Sequence, residues 1–202
     1  MTRRPFREPP PSAAWLHHDA RTGFEVVFFR PADGGYVLEG CTSAVEDGAA
    51  WAVSYALTLD AGWATRHARV SGRSAVGHRE VVLVVDGAGH WRVDGDPAPH
   101  LDGCLDVDLE ASACTNAQPV HRLNLAVGGR AAAPAAWVRA TDLSVERLEQ
   151  DYVRVPDDDL GRQRYDYAAP ALDFACRLVV DRSGLVLDYP GIATRAGTAE
   201  DS

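Results

Sequence analysis

The chain has 202 residues, 46% of them hydrophobic and 24% charged, ordinary globular proportions that allow one sizeable core and argue against disorder over most of the length. A formal net charge of −9 repels phosphate backbones and anionic lipid surfaces, and no basic patch is visible along the chain, so nucleic acid is not an expected partner. All 20 basic residues are arginine, which excludes chemistries that need a lysine amine, such as a Schiff base or a P-loop.

Residues 1–13 carry Arg3, Arg4 and Arg7, then Pro9, Pro10 and Pro11 where a secretory leader would need an apolar stretch, so this segment reads as a disordered, untethered opening. Residues 14–195 form the expected folded body, a single domain. Short runs there alternate apolar and polar residues and are separated by Gly, Pro and Asp clusters, the pattern of half-buried antiparallel strands. Early candidates are Phe24 to Phe29 and Tyr36 to Val45. The clearest run is Trp51 to Asp60, with Trp51, Val53, Tyr55, Leu57 and Leu59 on one face at period two.

Trp63 to Val70, Glu80 to Val85 and His90 to Val93 continue the meander, with turns at Asp60-Ala-Gly62 and Asp86-Gly-Ala-Gly89. Leu105 to Leu109, Val120 to Val127, Trp137 to Ala140, Tyr165 to Tyr167, Asp173 to Asp181 and Leu185 to Asp188 are further strands. Ser144 to Gln150 fits either a short helix or another strand. Leu83-Val-Val-Asp86 with Gly89 is echoed by Leu178-Val-Val-Asp181 with Gly184 at a constant offset, which fits either a duplicated half-domain or two hairpins with the same turn chemistry. Residues 196–202 are small and acidic, a flexible tail. The fold class is therefore all-β, mainly antiparallel, with at most short helices.

No run approaches 18 apolar residues, so no membrane-spanning helix is expected. Cys41, Cys104, Cys114 and Cys176 lack the short paired spacing of a zinc site or dithiol motif and read as buried or half-buried free thiols of a reducing cytoplasm. The seven histidines show neither helical i, i+4 pairing nor a neighbouring acid at metal spacing. Neither a metal nor another cofactor is expected. Gly-x-Ser-x-Gly and Gly-x-Gly-x-x-Gly fingerprints are also missing, against a serine hydrolase or nucleotide enzyme.

The densest polar constellation runs from Trp91 to Arg122. On a strand, Cys104, Asp106 and Asp108 share one face and Leu105, Val107 and Leu109 the other, so the acidic face is expected to be distinct from the apolar one. Such carboxylates must be solvated, paired with arginine, or set beside a ligand, and Arg66 and Arg122 are available partners. Asp106 and Asp108 also meet the spacing of a glycosidase carboxylate pair, although many inert strands do the same. The tryptophans Trp15, Trp51, Trp63, Trp91 and Trp137 serve either as core or as a ligand platform.

The set Trp91, Asp94-Gly95, Leu101, Gly103-Cys104, Asp106-x-Asp108-Leu109, Thr115-Asn116, Pro119 and Arg122-Leu123 resembles the bacterial family called putative glycolipid-binding, formerly a domain of unknown function. Gly23-x-Glu25, Glu39-Gly40, Tyr55, Trp63-x-Thr65-Arg66, Gln150-x-Tyr152, Tyr165 and Gly184-Leu-Val-x-Asp188-Tyr-Pro190 fit the same pattern, so the likeness spans nearly the whole body. The chain departs from it at Ala113-Cys114, where a Thr-Pro pair is expected.

The resemblance implies a spiral β-roll, a single antiparallel sheet curling on itself like the half-barrels of lipoprotein carriers. It also implies non-catalytic binding of a glycolipid or other amphipathic ligand in the concave face. Glu25, Arg66, Asp106, Asp108, Asn116 and Arg122 would then meet the polar head, and Tyr55, Trp63 and Trp91 the apolar part. Two alternatives are a hydrolase using Asp106, Asp108 and Glu25 on a glycosidic or ester bond, and a protein-interaction domain whose polar set only pairs internally.

Overall fold

The computed structural model describes residues 6–110 and 112–197; the expectations for residues 1–5 and 198–202 lie outside the described residues. Six strands open the chain as an antiparallel meander: β1 (Ser12–His17), β2 (Thr22–Ala32), β3 (Gly35–Glu46), β4 (Ala49–Asp60), β5 (Thr65–Ser74) and β6 (Gly77–Val85). Period-two alternation makes them: in β4 the side chains of Trp51, Val53, Tyr55, Leu57 and Leu59 are buried while Ala52, Ser54 and Thr58 face water. Short strands β7 (Trp91–Val93) and β8 (Asp96–Pro97) complete this half.

Next come β9 (Asp106–Leu109), helix α1 (Ala117–Leu123), β10 (Arg130–Ala132), β11 (Ala135–Val138) and β12 (Val145–Leu148). The chain closes with β13 (Asp151–Val155), β14 (Gln163–Ala169), β15 (Phe174–Val180), β16 (Val186–Tyr189) and β17 (Ala193–Ala196). Among the described residues fourteen strands form one sheet in the order β10-β13-β14-β15-β16-β17-β1-β2-β3-β4-β5-β6-β7-β8. The last strand pairs with the first, Trp15 opposite Arg195, and welds the two halves into one sheet. That sheet curls without closing, with β8 and β10 as its edges.

Much of the inside of the curl is filled by the chain's own segment between β8 and β13. Leu101, Val107, Leu109, Ala117, Val120, Ala136 and Val138 are buried there, and β9 pairs in parallel with β11 in a separate three-stranded sheet. The segment is tied to both halves of the roll. Thr65 N–H donates to Leu105 O at 2.8 Å and Trp91 Nε1 to Cys104 O at 3.1 Å on one side, and Tyr152 Oη to Asn116 Oδ1 at 2.8 Å on the other.

Residues 120–127, expected as a strand, instead contain the end of α1. The helix is short and buried on most sides, so it leaves no 3.6-residue signature; Pro119 sits in its first turn, where no intrahelical donor is needed, and Asn124 caps it in the left-handed region at φ 38°. Residues 144–150 hold a strand, β12. At the N-terminus, expected to be loose to residue 13, β1 already begins at Ser12, Arg7 N–H donates to Arg182 O at 2.8 Å and Phe6 packs on His121. At the other end Ala196 is the last residue of β17.

Both copies of the echoed motif end in the same turn chemistry. In four hairpins, at Asp60, Asp86, Asp158 and Asp181, the aspartate Oδ1 accepts the N–H groups two and four residues on. In each, the residue three positions on donates to the aspartate carbonyl with positive φ. That residue is glycine in three of the turns and Trp63, at φ 66°, in the fourth. A left-handed tryptophan costs about 1–2 kcal/mol. Stacking of its ring on His121, at 3.6 Å and 6°, opposes this cost.

Candidate functional site

Several buried polar contacts join the inner segment to the sheet, among them a hydrogen bond from Thr65 Oγ1 to Gln118 Oε1 at 2.6 Å and two centres built on carboxylates. The first is Glu25, fully buried on β2. Its Oε1 accepts Tyr55 Oη at 2.7 Å and Ser112 Oγ, and its Oε2 accepts the N–H of Ala113 at 2.8 Å and of Cys114 at 3.3 Å. Burial raises the Glu25 carboxyl, and the four donors pull against that shift. The departure at Ala113-Cys114 acquires a role here, because a proline at position 114 would have no N–H to give this carboxylate. Gly40 makes the Tyr55 contact possible, since a Cβ on it would lie 2.2 Å from the Tyr55 ring.

The second centre lies under the C-terminal half of the sheet. Asp106, 2% exposed, takes a two-pronged contact from Arg122, with Nε to Oδ1 at 3.0 Å and Nη2 to Oδ2 at 2.5 Å. Burial raises the Asp106 carboxyl, and the Arg122 hydrogen bonds and charge counter the rise. Two residues along β9, Asp108 accepts Thr115 Oγ1 at 2.9 Å and Gln150 Nε2 at 2.5 Å, and Gln150 also donates to Tyr167 Oη at 3.0 Å. Unlike its neighbours on β9, Asp108 keeps part of its surface open to water.

Burial first, and then the Asp106 and Glu110 charges, push the Asp108 carboxyl up to about 7 against the Thr115 and Gln150 hydrogen bonds. Near neutral pH it can therefore either donate or accept a hydrogen bond. Around this centre stands an aromatic wall: Tyr167 lies 5.2 Å from Tyr152, 5.9 Å from Tyr189 and 6.2 Å from Phe174, all edge-on or tilted. Flat rings beside clustered carboxylate, amide and guanidinium groups form the kind of surface that grips a polyhydroxylated ligand.

Of the residues singled out in the sequence, Asp106, Asp108, Asn116 and Arg122 converge at this second centre, while Glu25 and Tyr55 form the first. Trp63 is buried in a ring cluster with His121 and Tyr36, next to α1. Trp91 is a core residue whose indole is taken by Cys104 O. Arg66 stands apart from both centres, half exposed and paired with Asp60 at 2.5 Å. The expected split between an acidic and an apolar face of residues 104–109 does not hold, because Asp106, Val107 and Leu109 are all buried.

Sequence reasoning did not assign ligand roles to Ser112, Thr115, Gln150, Tyr152 or Tyr167. The Gln150-x-Tyr152 and Thr115-Asn116 pairs in the family pattern were the available signal. On the outer face of β10, β13, β14 and β15 lies an open groove of about 620 Å³, lined by Arg130, Asp151, Asp166 and Arg177 among others. Tyr167 also lines this groove, and Arg177 is there already paired with Asp166 at 2.7 Å. Among the described residues no group of three or more His, Cys, Asp or Glu side chains is arranged to hold a metal, and no helix is long and apolar enough to cross a membrane.

A curled, unclosed β-roll with its own segment folded inside and a polar, aromatic-walled centre defines a β-barrel-like class of fold, consistent with ligand binding. Within that class the chain belongs to the family described as putative glycolipid-binding, whose pattern matches residues 12–195. It is similar to a DUF1089 family protein of Pseudomonas aeruginosa, with 32% identity over 94% of this chain and 95% of that one and a TM-score of 0.70. A β-barrel-like protein of the DUF1849 domain from Brucella abortus shares the fold at 14% identity and a TM-score of 0.53, over 94% and 95% of the two chains. No curated protein matches it.

Proposed function

We propose that the protein binds the polar head of a glycolipid, without transforming it, at the part-open centre formed by Asp108, Gln150, Thr115, Asn116 and the Asp106–Arg122 pair. The observation that carries this reading is Asp108: with Arg122 it is one of two residues of this centre that keep some exposure, and Tyr152, Tyr167, Phe174 and Tyr189 stand around it. The family description supports the ligand class. Because the chain's own segment occupies much of the roll, the acyl part is accommodated at its margin and not along the whole concave face. Glu25 and Tyr55 hold the inner segment in place, and Trp63 supports α1. The four free cysteines fit a reducing compartment such as the cytoplasm.

Calorimetric titration with short-chain alkyl glycosides, below their micelle-forming concentration, tests the site. Wild type binds at least one of a panel of sugar heads, and Asp108→Asn or Gln150→Ala weakens that binding about tenfold or more, the value of one charged hydrogen bond. A panel with no heat and no thermal stabilisation overturns the reading. A second reading, hydrolysis of a glycosidic bond, is favoured by one observation: a carboxyl titrating at about 7 two residues from an arginine-held carboxylate matches the unequal pair such enzymes use. Against it, Arg122 occupies both Asp106 oxygens. Turnover of aryl glycosides that vanishes in Asp108→Asn would favour the hydrolase.

A further inference from the structure

The convex face of β1–β4 is apolar where a solvated sheet face ordinarily carries charge. Leu16, Phe24 and Phe28 are 52%, 41% and 56% exposed. Leu16 lies opposite Phe24 and Ala14 opposite Val26 across β1 and β2, and Val26 lies opposite Cys41 on β3, so the patch is contiguous up to Phe28, which lies opposite Glu39 and marks its border at the Arg30–Glu39 pair. Ala50, Ala52 and Ala56 continue it onto β4 with small side chains. Beyond β4 the same face turns basic: β5 presents His67, Arg69 and Arg73, and His78 lies opposite Arg73 on β6. The outward carboxylates of β1–β6 are each paired, Glu39 with Arg30 and Glu80 with Arg69 at 2.9 Å, and Asp60 with Arg66 at 2.5 Å. A protein of net charge −9 thus carries one face with no unpaired carboxylate on its strands, assembled from arginines and histidines scattered along the chain.

We propose that this convex face docks on a lipid bilayer containing anionic lipid, with Leu16, Phe24 and Phe28 entering the interface and Arg73 meeting the headgroups. Arg73 supplies the charge complementarity, since among the described residues it has no ion pair, whereas the apolar patch supplies the sequence-independent attraction. Screening confines each charge to about 10 Å, so at contact the unpaired Arg73 acts on the headgroups while carboxylates farther away than that are largely screened. The choice of a bilayer as occupant rests on the glycolipid reading, for a lipid-borne head is collected at a membrane.

Co-sedimentation with two sets of vesicles tests the proposal: phosphatidylcholine alone, and phosphatidylcholine with about one third phosphatidylglycerol. Neither contains glycolipid. Wild type pellets with both, more strongly with the anionic vesicles. The double variant Phe24→Ser, Phe28→Ser loses about tenfold or more in partitioning to either set, and its circular dichroism is unchanged because both side chains are outside the core. Arg73→Glu loses only the gain due to phosphatidylglycerol. Wild type remaining in the supernatant of both, or a double variant that pellets like wild type, overturns the proposal. So does a wild-type dimer that the double variant dissociates, since the face then belongs to a second copy. Asp108→Asn pellets like wild type, so failure of the proposed sugar-head site and failure of the docking face are told apart.

Discussion

Replacing Arg122 by alanine removes both hydrogen bonds from an Asp106 carboxylate that is 2% exposed and, among the described residues, has no other cation against it. Breaking a buried pair from one side costs about 3–5 kcal/mol. Arg122 itself is 14% exposed, so water can partly follow the lost side chain, and a loss near 3 kcal/mol is expected. In a domain of this size that lowers Tm by about 6–12 °C. The stranded carboxyl would be harder to ionise folded than unfolded, so the folded variant binds the extra proton and the deficit shrinks as pH falls from 7 towards 4. The double variant Asp106→Asn, Arg122→Met, which removes both charges, should recover most of the loss. Urea unfolding followed by tryptophan fluorescence at both pH values is the assay. A deficit under about 1 kcal/mol at pH 7, or one that does not shrink in acid, refutes the assignment of this pair as a buried strut.

Three other outcomes follow from the same geometry. Glu25→Gln keeps acceptors for the Ala113 and Cys114 N–H groups and offers its amide to the Tyr55 and Ser112 hydroxyls, so it is neutral or stabilising near pH 7 in urea melts, whereas Glu25→Ala costs about 2–4 kcal/mol by stranding buried donors. Gly40→Ala forces a Cβ into the Tyr55 ring and costs about 1–3 kcal/mol, with Tyr55→Phe in the same chain giving little relief because the ring carbons clash as well. The His121 imidazole, held neutral by burial with its Nε2 against Ser183 O at 2.8 Å, titrates at about 4 by NMR. Since its folded value is depressed below the unfolded 6.5, it withdraws up to about 3 kcal/mol of stability as pH falls from 7 to 4; a midpoint near 6.5 would contradict the packing of α1 against the sheet.

The meander was legible in the sequence because one face of each strand is core and the other solvent, as in Trp51 to Leu59. Where an element is covered on several sides, that contrast disappears. Helix α1 and strand β9 are buried by the roll around them, so residues 120–127 imitate a strand and Asp106 and Asp108 imitate a solvated acidic face. The repeated Leu-Val-Val-Asp hairpin reflects one local solution, an aspartate capping a tight turn, which recurs at Asp60 and Asp158 without the flanking sequence.

The site was half legible for a related reason. Asp106, Asp108, Asn116 and Arg122 lie within one stretch, and their types announce polar chemistry. Gln150, Tyr152 and Tyr167 reach the same place only because β13 and β14 wrap over that stretch, a long-range pairing that no local pattern encodes. Arg66 failed to join for the opposite reason: a partner four residues before Ala64, the aspartate that caps its own hairpin, is close enough to hold it.

The most direct test of glycolipid binding is native mass spectrometry of the purified wild-type protein and of Gln150→Ala, with organic extraction of whatever is released. One glycolipid molecule per wild-type chain is expected, lost or strongly reduced in the variant. An empty wild-type protein that takes up no member of a glycolipid panel would contradict it.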